Sequence, residues 1–219
     1  ILFLLFVIIG AAASMGSIWK FSDAMIFAMI FPNMVGLFFL FPVVKKELIK
    51  YVDSDEMTIR TKVQIILDHW INKGSKEIQG KSRGMIVVAS RKHCVWYSDE
   101  INKQLSERGI EFRSLVGFSG EVSINGEKYT ESGCNLKVGH EGDVPLGLKN
   151  PKYRLLVVAN KFQTGFDEPM LQSMYIDKSL KDVQCVQTLS RLNRTMSGKA
   201  STFVLDLSLI HISEPTRPY

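Results

Sequence analysis

Twenty-one consecutive residues without a charge, 24–44, constrain this chain more than any other feature. A helix needs about 20 apolar residues to cross a hydrocarbon core, and helices in water-soluble domains are seldom apolar on every side for so long. A second unbroken apolar run covers 1–13, and the only charges in the first fifty residues are Lys20, Asp23, Lys45, Lys46, Glu47 and Lys50. The basic cluster following residue 44 puts that end of the span on the cytoplasmic side. A signal peptide fits poorly, because no basic leader precedes the first run and another long apolar segment follows it. The expectation is a transmembrane-type helical segment over 1–50, in a chain that starts inside a membrane protein.

Composition then changes abruptly. Residues 51–206 carry 22 Lys or Arg against 19 Asp or Glu, enough chain for one ordinary soluble domain. The net charge of +5 and pI near 9.1 are compatible with nucleic acid but too mild to identify it. Cys94, Cys134 and Cys185 lie too far apart for a zinc knuckle or a redox pair, and His69, His93 and His140 share no ligand spacing with them. No metal site built by the protein alone is expected.

Apolar residues at 59, 63, 66, 67, 70 and 71 repeat with a helical period over 58–72. Short apolar runs at 85–89, 112–118, 154–159, 174–177 and 202–206 read as strands. Helices are expected over 92–108, closing at Gly109, and over 182–193. Buried strands alternating with helices imply an α/β domain with a mainly parallel sheet covered on both faces. The expected layout is therefore 1–50 membrane-type, 51–84 helix and linker, 85–206 the α/β lobe, and 207–219 a foreign tail. Residues 119–150 are expected to be a long polar connection.

Gly74 and the Gly80-Lys81-Ser82 run imitate a phosphate-binding loop but do not make one. Five residues separate the glycines where four are needed, and the loop follows a helix and leads into a strand, the reverse of the required order. Residues 74–82 are expected to be a solvated linker.

Two later segments carry chemistry. Lys161-Phe162-Gln163-Thr164-Gly165-Phe166-Asp167-Glu168-Pro169 follows a strand, and Gln187-Thr188-Leu189-Ser190-Arg191-Leu192-Asn193-Arg194 comes some twenty residues later. On a continuous helix, Gln187, Arg191 and Arg194 would form one polar stripe while Val186, Leu189 and Leu192 pack toward the sheet. Two guanidiniums offered to one target suit a transferring phosphoryl group, whose equatorial oxygens gain charge.

These segments resemble motifs V and VI of superfamily 2 helicases, and most closely those of type I restriction enzyme motor subunits. Residues 85–91 resemble the motif IV strand with its Ser-Arg turn, and 118–121 the next DNA-facing loop. Gln163 and Ser190 depart from the broader superfamily and favour the restriction branch. The resemblance covers 53–206 and implies a RecA-like second lobe of an ATP-dependent DNA translocase, working with ATP and magnesium shared with an absent first lobe. It implies that Arg191 and Arg194 reach the nucleotide phosphates and that Gln187 orders the same site. Gly165 and Asp167 would couple nucleotide state to the DNA groove, while Ser90, Arg91, Ser119, Gly120 and Thr164 would touch the DNA backbone. The partners implied are double-stranded DNA, the first lobe and nuclease domain, and the methyltransferase and specificity subunits. The Walker motifs and nuclease core would lie upstream, so the fragment alone is expected not to hydrolyse ATP.

The first 45 or so residues, through Gly16-Ser17-Ile18-Trp19, Phe31-Pro32-Asn33-Met34-Val35-Gly36-Leu37 and Phe41-Pro42-Val43-Val44-Lys45, resemble the last transmembrane helices of sodium:alanine symporters. Residues 207–218 resemble a translated sequencing adapter and are set aside from the fold. An assembly chimera joined near 51–55 is the expectation, with a natural membrane-tethered translocase or a symporter fragment as alternatives.

Overall fold

The computed structural model describes residues 15–53, 55–162, 166–180 and 182–208. It divides into two units, Ile1–Val52 and Asp53–Tyr219.

In the first unit the apolar stretch forms one helix, α1 (Met15–Asp53), with Pro32 and Pro42 inside it. Large side chains from Trp19 to Leu48 are exposed all round. The window Ser22–Leu48 is long and apolar enough to cross a membrane by length and composition, with a mean hydropathy of 2.1.

The second unit begins with α2 (Glu56–Asn72), capped by Asp55, whose carboxylate accepts from Thr58 N. Its apolar stripe, Ile59, Val63, Ile66, Leu67 and Trp70, is buried as the spacing requires. The chain then passes through tight turns into β1 (Arg83–Val88), α3 (Arg91–Glu107) and β2 (Arg113–Gly117). A hairpin follows, β3 (Glu121–Ile124) and β4 (Glu127–Thr130), then the short helices α4 (Glu131–Lys137) and α5 (Val144–Gly147). Strands β5 (Tyr153–Val158) and β6 (Leu171–Asp177), helix α6 (Asp182–Leu189) and strand β7 (Phe203–Asp206) complete it.

The sheet has the order β2-β5-β1-β6-β7, and all four pairings are parallel. Successive side chains point to opposite faces. Ile86, Val88, Val116, Leu155, Val157 and Tyr175 therefore join α2 and α3 in one core. Met85, Val87, Leu115, Leu156, Val158, Met174 and Ile176 meet Val144, Leu148 and Leu192 in the other. This is the α/β arrangement expected from the alternating apolar runs, a parallel sheet with a core on each face.

Four expectations need correction. Residues 74–82 are not a solvated linker: Gly74, Ile78 and Ser82 are buried, and the Ser82 hydroxyl donates to Gly74 O. Residues 119–150 are not a featureless connection, because Asn125 and Gly126, both at positive φ, turn β3 back antiparallel to β4. Helix α6 stops at Leu189 rather than 193. Beyond it the amides of Arg191, Leu192 and Asn193 reach back only three residues, to Thr188, Leu189 and Ser190 carbonyls. Val186 is exposed, against expectation, whereas Leu192 is buried and Leu189 packs against the same core as expected, and Thr188 is buried as well. Leu207 and Ser208, which the sequence reading set aside, pack on the lobe, with Leu207 N donating to Ile176 O at 2.7 Å; residues 209–219 lie outside the described residues.

Candidate functional site

Because the strands are parallel, the segments leaving β1, β2, β5 and β6 emerge at one edge of the sheet, where ligands of open α/β domains gather. The residues singled out from sequence fall into two groups there.

The first group joins the ends of β1 and β2. Ser90 caps α3, its hydroxyl accepting from His93 N and lying 2.7 Å from His93 Nδ1. Arg91 crosses to the loop after β2 and donates through Nη1 to Ser119 O at 3.2 Å and Glu121 O at 3.1 Å. Gly120, at φ +75°, lets the backbone carry both carbonyls around the guanidinium. Ser90, Arg91, Ser119 and Gly120 are thus brought together on an exposed rim.

The second group joins the loop after β5 to the turn after α6. Arg194 Nε lies 3.2 Å from Asp167 Oδ1, with both side chains largely exposed. Arg191 Nη1 donates to Phe166 O at 3.4 Å. Gln187 is exposed on α6. The two arginines are therefore gathered by the Asp167 loop and not by a continuous helical stripe. Thr164 and Gly165 lie outside the described residues.

Sequence reasoning missed the residues that tie these groups together. Glu131 accepts from Phe118 N at 2.8 Å and from Lys161 Nζ at 2.7 and 2.9 Å, linking the loop after β2 to the loop after β5. Phe162, at φ +67°, lies over Gly117, where a Cβ would sit 2.7 Å from its ring. Lys199 holds the arginine turn through main-chain carbonyls. No motif marked Glu131 or Lys199; the nearest signal was the Thr130 N-cap, which accepts from Gly133 N.

Fold and edge together define a parallel α/β lobe that gathers arginines at one edge of its sheet. Residues 125–205 match the family model for type I restriction enzyme subunit R domain 3, and residues 1–65 match that of the sodium:alanine symporter family. A Methanocaldococcus jannaschii protein described as a type I restriction enzyme endonuclease subunit is 27% identical over 145 residues, covering 60% of this chain and 14% of its own length. The Staphylococcus aureus (strain COL) type I restriction enzyme SauCOLORF180P endonuclease subunit is 25% identical over 175 residues, covering 67% of this chain and 19% of its own. The chain thus spans less than a fifth of either relative. Among solved structures, Mss116p DEAD-box helicase domain 2 bound to an RNA duplex aligns with a TM-score of 0.43 at 18% identity, over 70% of this chain and 52% of that one. The ATP-dependent Type ISP restriction-modification enzyme LlaBIII bound to DNA aligns at 0.38 and 14%, over 57% and 8%. The middle of the chain therefore resembles type I restriction endonuclease subunits and its start resembles a symporter. The symporter match runs to residue 65, into α2, although α2 packs in the core of the second unit.

Proposed function

We propose that residues 53–206 are the second RecA-like lobe of an ATP-dependent DNA translocase from a type I restriction-modification system. The observation that carries this is the gathering of Arg191, Arg194 and Asp167 at the same sheet edge as the Arg91 rim. Arg191 and Arg194 meet the phosphates of ATP and magnesium held mainly by a first lobe, and Gln187 orders the same site. An exposed ion pair is worth about 0–1 kcal/mol, so Arg194 leaves Asp167 for a phosphate at little cost. ATP hydrolysis supplies the energy for movement along DNA. Arg91, with Ser90, Ser119, Gly120 and Thr164, meets the DNA backbone and provides register without sequence choice. Asp167 and Gly165 couple the two groups. Partners of such a lobe are the first lobe and nuclease domain, the methyltransferase and specificity subunits, and double-stranded DNA, all in the cytoplasm.

The test needs a motor completed by a first lobe. Arg194→Ala lowers ATP turnover there by about 10³-fold while nucleotide affinity changes little, because a finger acts as charge builds on the transferring group. Arg91→Ala weakens DNA binding for all sequences and flattens its salt dependence by about one unit of slope. ATPase within a few-fold of the parent after Arg194→Ala overturns the finger role.

The two family matches, one at each end, support a second reading for 1–52: a symporter-derived segment joined to the lobe. Long sequencing reads across the join in source DNA decide it, since a natural fusion gives uninterrupted reads through residues 51–55.

A further inference from the structure

Lys199 lies in the irregular segment between α6 and β7, and its ammonium sits among four main-chain carbonyls. Nζ is 2.5 Å from Leu192 O, 2.7 Å from Leu171 O, 3.1 Å from Arg194 O and 3.4 Å from Pro169 O. An ammonium has three protons and no acceptor, so the three nearest carbonyls take one each and Pro169 O completes the oxygen shell. Two of these carbonyls, Leu192 and Arg194, belong to the arginine turn. Of the other two, Leu171 opens β6, which pairs with β1, and Pro169 lies in the turn just before it.

The turn needs such a tie. After Ser190 its backbone is held by bonds of 3.0–3.2 Å that reach back only three residues, a geometry poorer than that of an α-helix. Bonds from a charged donor are roughly twice as strong as neutral ones. Burial also lowers the Lys199 pKa from its ordinary value, in keeping with an ammonium drawn out of water. We propose that Lys199 is the positioning residue of this site: by gathering Leu192 O and Arg194 O onto the start of β6, it sets where the Arg191 and Arg194 guanidiniums project. This rests on the reading of those arginines as phosphate ligands, although the tie itself can be tested without nucleotide.

The test uses the whole chain in detergent, with hydrogen exchange followed at the amides of Arg191, Leu192 and Asn193. Lys199→Met raises their exchange tenfold or more and leaves β1 and β5 amides as in the parent, while Lys199→Arg, which keeps a charged donor, restores most of the protection. Unchanged exchange in Lys199→Met, or no difference between the Met and Arg variants, overturns the proposal. Should Lys199→Met lose β1 and β5 protection as well, a brief pulse of an amine-acetylating reagent on the parent decides the matter. Labelling of Lys199 at least tenfold slower than exposed Lys149 supports the tie, and equal labelling removes it. If Arg194→Ala proves silent in a completed motor, the phosphate reading fails while the exchange result stands.

Discussion

Gly120 shows how much of the site depends on single atoms. A Cβ there would lie 3.2 Å from Arg91 Nη1, on a backbone whose φ of +75° side chains rarely adopt. Gly120→Ala is therefore expected to cost about 1–2 kcal/mol in stability and to push Arg91 away from the Ser119 and Glu121 carbonyls, weakening DNA binding in a fluorescence anisotropy titration. Affinity equal to the parent's would show that the Arg91 rim is not the contact. His69 gives a second expectation. Its Nδ1 lies 2.8 Å from Tyr175 Oη and its ring stacks on Phe203. Burial, and then the charge of Lys73, hold its pKa below the ordinary value. As pH falls through about 6.5 the unfolded chain takes up this proton, whereas the folded lobe does so only at lower pH. In that window the unfolded state binds more protons, so stability falls with pH. His69→Gln should lose part of the drop in urea midpoint between pH 7.5 and 5.5, and an unaltered drop would count against this account.

At the scale of elements, the edge of β2 explains why a polar stretch folds as it does. Among the described residues no strand pairs with the outer side of β2 in the sheet order, yet its outward groups are satisfied by side chains. Asn102 Oδ1 accepts from Ser114 N at 2.9 Å, Asn135 accepts from Val116 N and donates to Val116 O at 2.8 and 3.0 Å, and Glu131 accepts from Phe118 N. Unpaired backbone groups on an edge invite pairing with other chains, and here α3 and α4 block that edge. Asn135 is buried, and each orphaned buried group costs about 1–3 kcal/mol. Asn135→Ala should therefore lower Tm by several degrees; a change of under about one degree would mean that water replaces the amide. This edge was illegible in the sequence, because Asn135 and Glu131 meet β2 only through the tertiary path of the hairpin. The hairpin's Asn125-Gly126 signal was legible and was passed over, since its strands are only four residues long and mostly polar. The five central strands were readable because burial on both faces leaves a continuous apolar run. The end of α6 was not, since helical periodicity runs on through Asn193. There the Ser190 hydroxyl donates to Gln187 O and Arg191 is drawn to Phe166 O, and both favour a tighter turn.

At the scale of the whole molecule, the two units pose opposite solvent problems. Helix α1 runs 39 residues, about 58 Å at 1.5 Å per residue, against a hydrocarbon core of about 30 Å, so its ends extend well beyond one. Charges sit near both ends of the apolar window, at Lys20 and Asp23 and at Lys45, Lys46 and Glu47, and none lies between. Phe27, Phe31, Phe38, Phe39 and Phe41 are each more than two-thirds exposed, a surface that water-soluble monomers do not sustain. The second unit, by contrast, buries both faces of its sheet. The intact chain should therefore require detergent. Limited proteolysis near residues 50–55 should release a C-terminal piece that stays monomeric after detergent removal, while the N-terminal piece sediments or remains in micelles. Size-exclusion chromatography with light scattering distinguishes these outcomes. A monomeric intact chain in plain buffer would mean that α1 hides its apolar surface and is no membrane segment. A C-terminal piece that aggregates once cut would mean that the lobe depends on the first unit and that the division at residue 52 is not a boundary between independent folding units.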